Sequence, residues 1–156
     1  MAMQRSAVLV KPDGLQRGLI GEIISRFERK GLKLIGLKMT YMTDKQLSEW
    51  YVEHKERSFF KDLKSFMGSM PIVCMVWEGV DAIKTIRKLV GTTSGREAEA
   101  GSIRGDFSMS QQLNLIHASS SESDAAREVA IVFTPEELVE YKSVIEHVVY
   151  ADFERN

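Results

Sequence analysis

The sequence contains a single cysteine, Cys74, among its 156 residues. One thiol excludes an intrachain disulfide, and it also excludes a metal site built from several cysteines. Because Cys74 lies within an apolar run, Ile-Val-Cys-Met-Val, we expect it to be a small core residue.

Charge of one sign is not in excess either, because 21 lysines and arginines are balanced by 22 aspartates and glutamates. The resulting net charge of −1 argues against a nucleic-acid-binding protein whose affinity comes from overall charge. A local basic cleft remains compatible with this balance. Any site for phosphate must therefore be built from a few cations that the fold brings together.

Long apolar runs are missing, since no stretch approaches the roughly 20 residues that a membrane-spanning helix needs. The N-terminal segment reaches the charged sequence Lys-Pro-Asp at 11–13 too early to leave room for a secretory apolar segment. These features predict a cytoplasmic protein that does not associate with membranes. The length predicts one domain spanning residues 1–156.

Apolar residues recur with the spacing of strands in some segments and of helices in others. The predicted strands are 5–10, 35–41, 72–77 and 130–133, the third of them central in a sheet covered on both faces. The predicted helices are 19–27 with a stop at Gly31, one that begins with a capping box of Thr43 and Gln46, 59–67, 80–90, 119–128, and a last one that starts at Thr134 and is amphipathic over 141–149.

The order of these elements, with neighbouring helices counted together, is βαββαβ. This order is typical of the ferredoxin-like α+β fold, in which helices pack on one face of a four-stranded antiparallel sheet. Residues 91–104 show neither period and are rich in Gly, Thr and Ser. Because loops of this length inside a compact domain are usually functional or interfacial, we expect this loop to contribute to a site.

Residues 114–121, Asn-Leu-Ile-His-Ala-Ser-Ser-Ser, place the imidazole of His117 between an apolar pair and small residues, just before a predicted helix. Such surroundings suit a nucleophile. Taken alone, a histidine beside Ile is more often a core or surface residue. The catalytic interpretation is favoured by four residues elsewhere in the chain whose chemistry suits an anionic substrate: Lys11, Arg87, Thr93 and Arg104.

Glycine-rich phosphate-binding motifs are absent from the sequence. It has neither the Gly-x-x-x-x-Gly-Lys-Ser/Thr loop of P-loop enzymes nor the Gly-rich loop of protein kinases. A phosphate site in this protein would therefore be built from side chains.

The motifs, in their order and spacing, resemble the nucleoside diphosphate kinase family along nearly the whole chain. The matching stretches are Lys-Pro-Asp-Gly at 11–14, Gly-Glu-Ile-Ile at 21–24, residues 51–60, Val-Trp-Glu-Gly at 76–79, residues 103–107 and residues 114–121. The resemblance implies that the γ-phosphate of a nucleoside triphosphate is transferred to His117 and then to a nucleoside diphosphate, which is a ping-pong mechanism. Near neutral pH an uncharged imidazole nitrogen is a good nucleophile for such a step.

The resemblance also assigns roles to the surrounding residues. It implies that Glu128 orients His117 through Ser119, and that Asn114 hydrogen-bonds both a sugar hydroxyl and Lys11. Phe59 matches the residue that stacks on the base, and because every base has a face to stack on, broad base specificity follows. The residues implied to contact the phosphates or the histidine are Lys11, Tyr51, Arg87, Thr93 and Arg104. Magnesium is expected to arrive with the nucleotide, since the chain shows no dedicated carboxylate cage.

Relatives in this family assemble, so the resemblance implies a homo-oligomer, with a hexamer preferred over a tetramer and with loop 91–104 in the threefold contact. The chain departs from the family pattern at Ser120 in place of Asp, at Ser58 in place of Pro, and at Gly95, where proline is frequent. If the native backbone angle at Gly95 permits it, restoring that proline is expected to raise stability and the fraction of protein assembled at low concentration.

A competing interpretation is a non-catalytic module that binds nucleotides or single-stranded nucleic acid through Phe59 and the arginines. Nucleic-acid binding is possible as a secondary role. The intact motif around His117 distinguishes the two interpretations, because a stacking groove has no need of it.

Overall fold

The computed structural model describes residues 3–155 and contains a four-stranded sheet in the order β2-β3-β1-β4. Its strands are β1 Met3–Val10, β2 Lys33–Thr40, β3 Ile72–Val80 and β4 Ile116–Ala118. Every neighbouring pair is antiparallel, and β1 pairs with β3 along its full length. The predicted α+β, ferredoxin-like fold is confirmed.

The α-helices within residues 3–155 are α1 Pro12–Gln16, α2 Ile20–Lys30, α3 Asp44–Trp50, α4 Phe60–Gly68, α5 Ala82–Val90, α6 Ile103–Phe107, α7 Glu122–Val132 and α8 Glu146–Val149. Short 3-10 helices occur at Val52–His54, Pro135–Glu137 and Asp152–Glu154. Two predicted helix ends are confirmed. Gly31 ends α2 with a left-handed φ of 95°, and Thr43 and Gln46 form both hydrogen bonds of the capping box that starts α3.

Helices cover both faces of the sheet, so the prediction that they pack on one face is wrong. Along β1, Val8 and Val10 pack with residues of α2 and α5, whereas Ala7 and Leu9 pack with residues of α3, α4 and α7. Successive side chains of a strand point to opposite faces, so one strand supplies two separate cores. The expectation that β3 is central and covered on both faces is confirmed, because eight consecutive residues from Ile72 to Gly79 are buried.

The predicted strand at 130–133 is also wrong. Residues 130–132 belong to α7, which continues past Glu128, and Ala130 is exposed. A short apolar run is compatible with a helix or a strand. Here it forms the end of a helix, because Val132 and Phe133 pack into the core beside α3. The fourth strand is instead β4, which carries His117 and pairs with β1 through Leu9 opposite His117.

The C-terminal segment is less helical than the pattern over 141–149 predicts, because α8 has only four residues. The capping box at Thr134 does form, but it starts a single 3-10 turn. The segment runs back along β2, where the Val139 N–H donates to the Ile35 carbonyl at 2.8 Å. Among the described residues, no helix is both long enough and apolar enough to cross a membrane.

Candidate active site

A cleft of about 680 Å³ lies beside β4 and the C-terminal end of β1. Eight of the ten residues predicted for the site line this cleft: Lys11, Tyr51, Phe59, Arg87, Thr93, Arg104, Asn114 and His117. The other two, Ser119 and Glu128, are buried behind the histidine. The fold therefore brings together residues that are separated by more than 100 positions in the sequence.

His117 is held by a carboxylate on one edge of its ring. Its Nε2 lies 2.9 Å from Glu128 Oε1, and the Ser119 hydroxyl donates to the other carboxylate oxygen at 2.7 Å. The resemblance implied that Glu128 acts through Ser119, but the contact with the histidine is direct. It can be direct because α7 extends past Glu128 and buries this residue against β4.

The contact with Glu128 determines which imidazole nitrogen is free. An ionised carboxylate only accepts hydrogen bonds, so the proton of a neutral His117 must lie on Nε2. Nδ1 then carries the lone pair, and no hydrogen bond from residues 3–155 reaches it. Trp50 also restrains the ring, with an edge contact at 5.1 Å between the ring centroids. The histidine is a quarter exposed, which leaves Nδ1 available as the nucleophilic atom.

A strained turn precedes the histidine. Leu115 has a φ of +73°, and the Ile116 N–H donates to the Asn114 carbonyl at 2.8 Å. This two-residue hydrogen bond with a positive φ is the rarer form of the γ-turn. Such a backbone costs about 1–3 kcal/mol and persists only where its surroundings enforce it.

Residues 11–14 enforce this turn from the opposite side. The Lys11 N–H donates to the Leu115 carbonyl, and the Leu115 N–H donates to Asp13 Oδ2, both at 2.9 Å. Gly14 permits the close approach, because a Cβ at this position would lie 2.7 Å from the Leu115 oxygen. The Lys-Pro-Asp-Gly motif therefore contributes backbone contacts as well as a lysine.

The buried ammonium of Lys11 donates to Asn114 Oδ1 at 2.7 Å, which is the contact that the resemblance implied. Burial, together with the charge of Arg104, lowers the pKa of Lys11 to about 8. The Asn114 amide nitrogen donates to the carbonyls of Thr93 and Gln111 at 2.9 and 2.8 Å. Asn114 thus connects the lysine to the loop of residues 91–104.

Arg104 was expected to present its guanidinium to a phosphate, and much of that group is engaged by backbone. Its nitrogens donate to three carbonyls, those of Asn114 at 3.2 Å, Gly91 at 3.1 Å and Ile116 at 2.6 Å. Burial and the charge of Arg87 lower the pKa of Arg104 to about 10, so it remains a cation at neutral pH. A guanidinium has five N–H groups, which leaves two of them for an anion.

Aromatic side chains form the outer part of the cleft. Phe59 is 47% exposed, and its ring lies 5.5 Å from that of His54, which in turn lies 6.2 Å from the ring of Tyr51. Burial and the charge of Glu128 raise the pKa of Tyr51, which keeps its hydroxyl protonated. Sequence reasoning assigned no function to His54, although its spacing from Tyr51 already placed the two on one face.

The cleft lining contains cations and no carboxylates. Lys11, Arg87 and Arg104 supply positive charge, while Gln111 and Gln112, which sequence reasoning missed, add neutral polar groups. No cluster of His, Cys, Asp and Glu that could hold a metal ion occurs within residues 3–155. The arrangement suits a polyphosphate joined to a flat aromatic group, with a nucleophilic nitrogen at the phosphate end.

Gly95 does not have the backbone freedom that the sequence suggested. Its N–H donates to the Ser110 carbonyl at 3.1 Å, and an added Cβ would lie 2.3 Å from the Ser108 oxygen. A proline at this position would remove the hydrogen bond and collide with the backbone. The backbone therefore does not accommodate a proline here, and the expected gain in stability is wrong.

Comparisons with known proteins extend over the whole cleft. A family model described as nucleoside diphosphate kinase matches residues 4–138. The chain is 52% identical over 139 residues to the nucleoside diphosphate kinase of Sulfurisphaera tokodaii. The aligned region spans 89% of this chain and 95% of that protein. It is 46% identical over 147 residues to nucleoside diphosphate kinase A of Rattus norvegicus, spanning 94% and 97% of the two chains.

Two solved structures show the same backbone arrangement. A nucleoside diphosphate kinase family protein from Babesia bovis superposes with a TM-score of 0.92 at 52% identity, covering 94% of this chain and 99% of that one. A halophilic nucleoside diphosphate kinase from Halobacterium salinarum, solved in complex with CDP, gives a TM-score of 0.93 at 43% identity and covers 96% and 99% of the two chains.

Proposed function

The chain belongs to the nucleoside diphosphate kinase family, and from this premise we propose that its phosphoryl transfer proceeds through a phosphohistidine at His117. The enzyme transfers phosphate from nucleoside triphosphates to nucleoside diphosphates. The observation that carries the proposal is the hydrogen bond from His117 Nε2 to Glu128, because it leaves Nδ1 unprotonated in a cleft lined by three cations.

In the first half-reaction, Nδ1 attacks the γ-phosphorus of the triphosphate. The new bond joins nitrogen to phosphorus, the bond from phosphorus to the β,γ-bridging oxygen breaks, and a nucleoside diphosphate leaves. In the second half-reaction, a terminal oxygen of another nucleoside diphosphate attacks the phosphorus and the bond to Nδ1 breaks. Glu128 stabilises the positive charge that the ring carries while it holds the phosphoryl group.

The cations and donors of the cleft have distinct roles in this proposal. Lys11 and Arg104, both buried, place fixed positive charge beside the transferred phosphoryl group. Arg87 and Thr93 are exposed, and their side chains form no hydrogen bond with residues 3–155, so both are free to bind phosphate oxygens. The Tyr51 hydroxyl is a further neutral donor.

Asn114 has little capacity left for the nucleotide. Both protons of its amide nitrogen are engaged by carbonyls, and Lys11 occupies one lone pair of Oδ1. The sugar contact that the resemblance implied therefore takes one form in our proposal, in which a sugar hydroxyl donates to the remaining lone pair of Oδ1. Phe59 stacks on the base, which predicts little discrimination among bases.

We propose that magnesium is bound mainly by the phosphates of the nucleotide. Magnesium prefers oxygen ligands and keeps several waters, and the cleft lining offers no carboxylate for it. The neutral oxygens of Thr93, Gln111 and Gln112 are the side-chain groups that fit such a hydrated ion. When bound, magnesium would supply positive charge that offsets the negative charge of the phosphate groups.

We also propose a homo-oligomer, with a hexamer preferred over a tetramer and loop 91–104 at the threefold contact. Apolar side chains remain exposed at the end of β2, just after it and on the C-terminal segment, at Leu37, Met39, Tyr41, Val144 and Val148. Neighbouring subunits would cover such surfaces. Light scattering after size exclusion distinguishes six subunits from four, and a monomeric mass with full activity contradicts the proposal. We place the enzyme in the cytoplasm, where its nucleotide substrates are abundant.

The non-catalytic alternative is not favoured, because the relatives are enzymes and a stacking module needs no histidine that a carboxylate orients.

Labelling of the protein by nucleotide provides the direct test of the phosphohistidine mechanism. Wild-type protein incubated with ATP labelled in the γ-phosphate should acquire label that is labile in acid and stable in base, and added diphosphate should remove it. His117→Ala should acquire none while still binding nucleotide, and His147→Ala, which alters an exposed histidine near the C-terminus, should behave as wild type. Full turnover by His117→Ala contradicts the mechanism.

A further inference from the structure

Asp13 is a partly buried acidic group that the proposed mechanism does not use. It follows Lys11 and Pro12 in the first turn of α1. One carboxylate oxygen, Oδ2, accepts the Leu115 N–H at 2.9 Å. The other, Oδ1, is buried and accepts no hydrogen bond from any residue between 3 and 155. An oxygen in this state is rare in a folded protein and calls for an explanation.

The first oxygen acts on the turn that sets the position of His117. Leu115 is the strained residue of the γ-turn, and His117 follows two residues later in a strand only three residues long. So short a strand has few ladder bonds of its own, so its position depends on what holds the turn. The turn is held by Asp13 at the Leu115 N–H, by the Lys11 N–H at the Leu115 carbonyl, and by Arg104 at the carbonyls on either side.

Asp13 is the only member of this set that accepts a hydrogen bond from the turn, since the others donate to its carbonyls. If Asp13 is truncated, the Leu115 N–H is left buried without an acceptor, and one of the restraints on the strained φ is lost. A flip of this peptide would shift β4 relative to Glu128. The hydrogen bond of 2.9 Å between His117 and Glu128 would then be lengthened or lost.

The carboxylate also acts through its charge, which both oxygens share. Asp13 lies close enough to Lys11 and to Arg104 to oppose, at both, the loss of positive charge that burial favours. The charged groups that act on the Lys11 ammonium are Arg104 from α6 and Asp13 from α1, and its hydrogen-bond acceptors are the uncharged Asn114 Oδ1 and Gln112 carbonyl. Asp13 is therefore the negative charge that helps Lys11 remain an ammonium next to a guanidinium.

We propose that Asp13 is a positioning residue for phosphoryl transfer, in which Oδ2 fixes the turn that places His117 and the negative charge of the carboxylate favours the ammonium form of Lys11. The inference rests on the proposed phosphohistidine mechanism, and it goes beyond that mechanism by assigning two separable effects to one side chain. The two effects can be separated because asparagine retains the acceptor oxygen and loses the charge, whereas alanine loses both.

The experiment measures single-turnover labelling of His117 by γ-labelled ATP in wild type, Asp13→Asn and Asp13→Ala, with Asp44→Asn as a control that removes a charge from the first turn of α3. Asp13→Ala should label about 10 to 100 times more slowly at pH 7 with an unchanged nucleotide KM, because displacement of a reacting group by about 1 Å has effects of this size. Asp13→Asn should restore most of that rate.

The pH profile provides the readout that a purely structural role would not change. Without the carboxylate charge, the pKa of Lys11 should fall below about 8, so the alkaline decline of kcat/KM in Asp13→Asn should begin at lower pH than in wild type. Asp44→Asn should show no displacement. Wild-type labelling rates in Asp13→Ala, or identical alkaline limbs in Asp13→Asn and wild type, overturn the inference. An unlabelled wild-type protein would instead overturn the phosphohistidine proposal.

Discussion

Two parts of the cleft differ in how firmly their side chains are held. The inner part, formed by Lys11, Arg104, Asn114, His117 and Glu128, has side chains that are buried or mostly buried and joined by hydrogen bonds. The outer part, formed by Phe59, Arg87 and Thr93, is exposed, and its side chains form no hydrogen bonds with residues 3–155. The inner part is therefore preorganised without substrate, and we expect the side chains of the outer part to become ordered when substrate binds.

This difference corresponds to two tasks. Phosphoryl transfer is accelerated by fixed charges and by a nucleophile in one geometry, because the protein then need not reorganise during the reaction. Accepting several nucleotides requires contacts that tolerate different bases, which an exposed ring provides and a buried hydrogen-bonded pocket does not. Substitutions in the inner part should therefore reduce kcat, and substitutions in the outer part should raise KM.

The largest effect is expected for Glu128→Gln. The new amide can donate to Nε2, which favours the tautomer that carries its proton on Nδ1 and so removes the nucleophilic lone pair. Loss of an orienting carboxylate of this kind reduces rates by about 100-fold or more. Steady-state kinetics should show a lower kcat with little change in nucleotide KM. Glu136→Gln, an exposed substitution in the turn after α7, should match wild type, and a rise in KM with normal kcat would contradict the assignment of Glu128 to the inner part.

The sequence was most informative where an element is long or a motif is local. The strands β1, β2 and β3 each have eight or nine residues, enough for their apolar patterns to be read. β4 has only three residues, too few to show a period, whereas the run at 130–133 looked like a strand because its burial comes from packing of α7 on the sheet. Burial on both faces was most visible in β3, whose apolar run of six residues, Ile72–Trp77, is longer than the four-residue run that ends β1.

The same distinction applies to the site. Lys11 and His117 could be singled out because each lies in a recognisable short motif. The direct bond between His117 and Glu128 depends on where α7 lies on the sheet, and the hydrogen bond from Leu115 to Asp13 joins residues 102 positions apart. Arg104 illustrates a further limit, because its residue type indicates phosphate binding but gives no sign that three carbonyls already engage it.

An intermediate effect is expected for Phe59→Ala, which removes the exposed ring of the outer part. Loss of base stacking should weaken nucleotide binding by about 1–3 kcal/mol, and the loss should be similar for purine and pyrimidine nucleotides. Isothermal titration with diphosphates measures this change, while kcat at saturation should remain near the wild-type value. Phe59→Trp should retain the affinity because it preserves a stacking face. An unchanged dissociation constant for Phe59→Ala would assign the ring to packing with His54 instead.

The smallest effect concerns pH, and it separates activity from stability within the inner part. The pKa of Lys11 is lowered to about 8 in the folded protein from an ordinary 10.5, so between these values the unfolded chain binds more protons than the folded one. Stability from this group should therefore rise as pH increases above 8, while kcat/KM should fall, to about half its neutral value at pH 8, as the ammonium is lost. In saturating nucleotide the decline of kcat should begin at higher pH, because bound phosphate favours the charged lysine. Urea unfolding from pH 7 to 9 measures the stability, with Lys11→Met as the variant that should lack the rise.

The range ends at pH 9 because the pKa of the buried Cys74 thiol is raised to about 12, so above its ordinary value of 9 this residue lowers stability with increasing pH. Parallel declines of stability and kcat/KM between pH 7 and 9 would show that loss of the fold, and not neutralisation of Lys11, limits the enzyme in alkali.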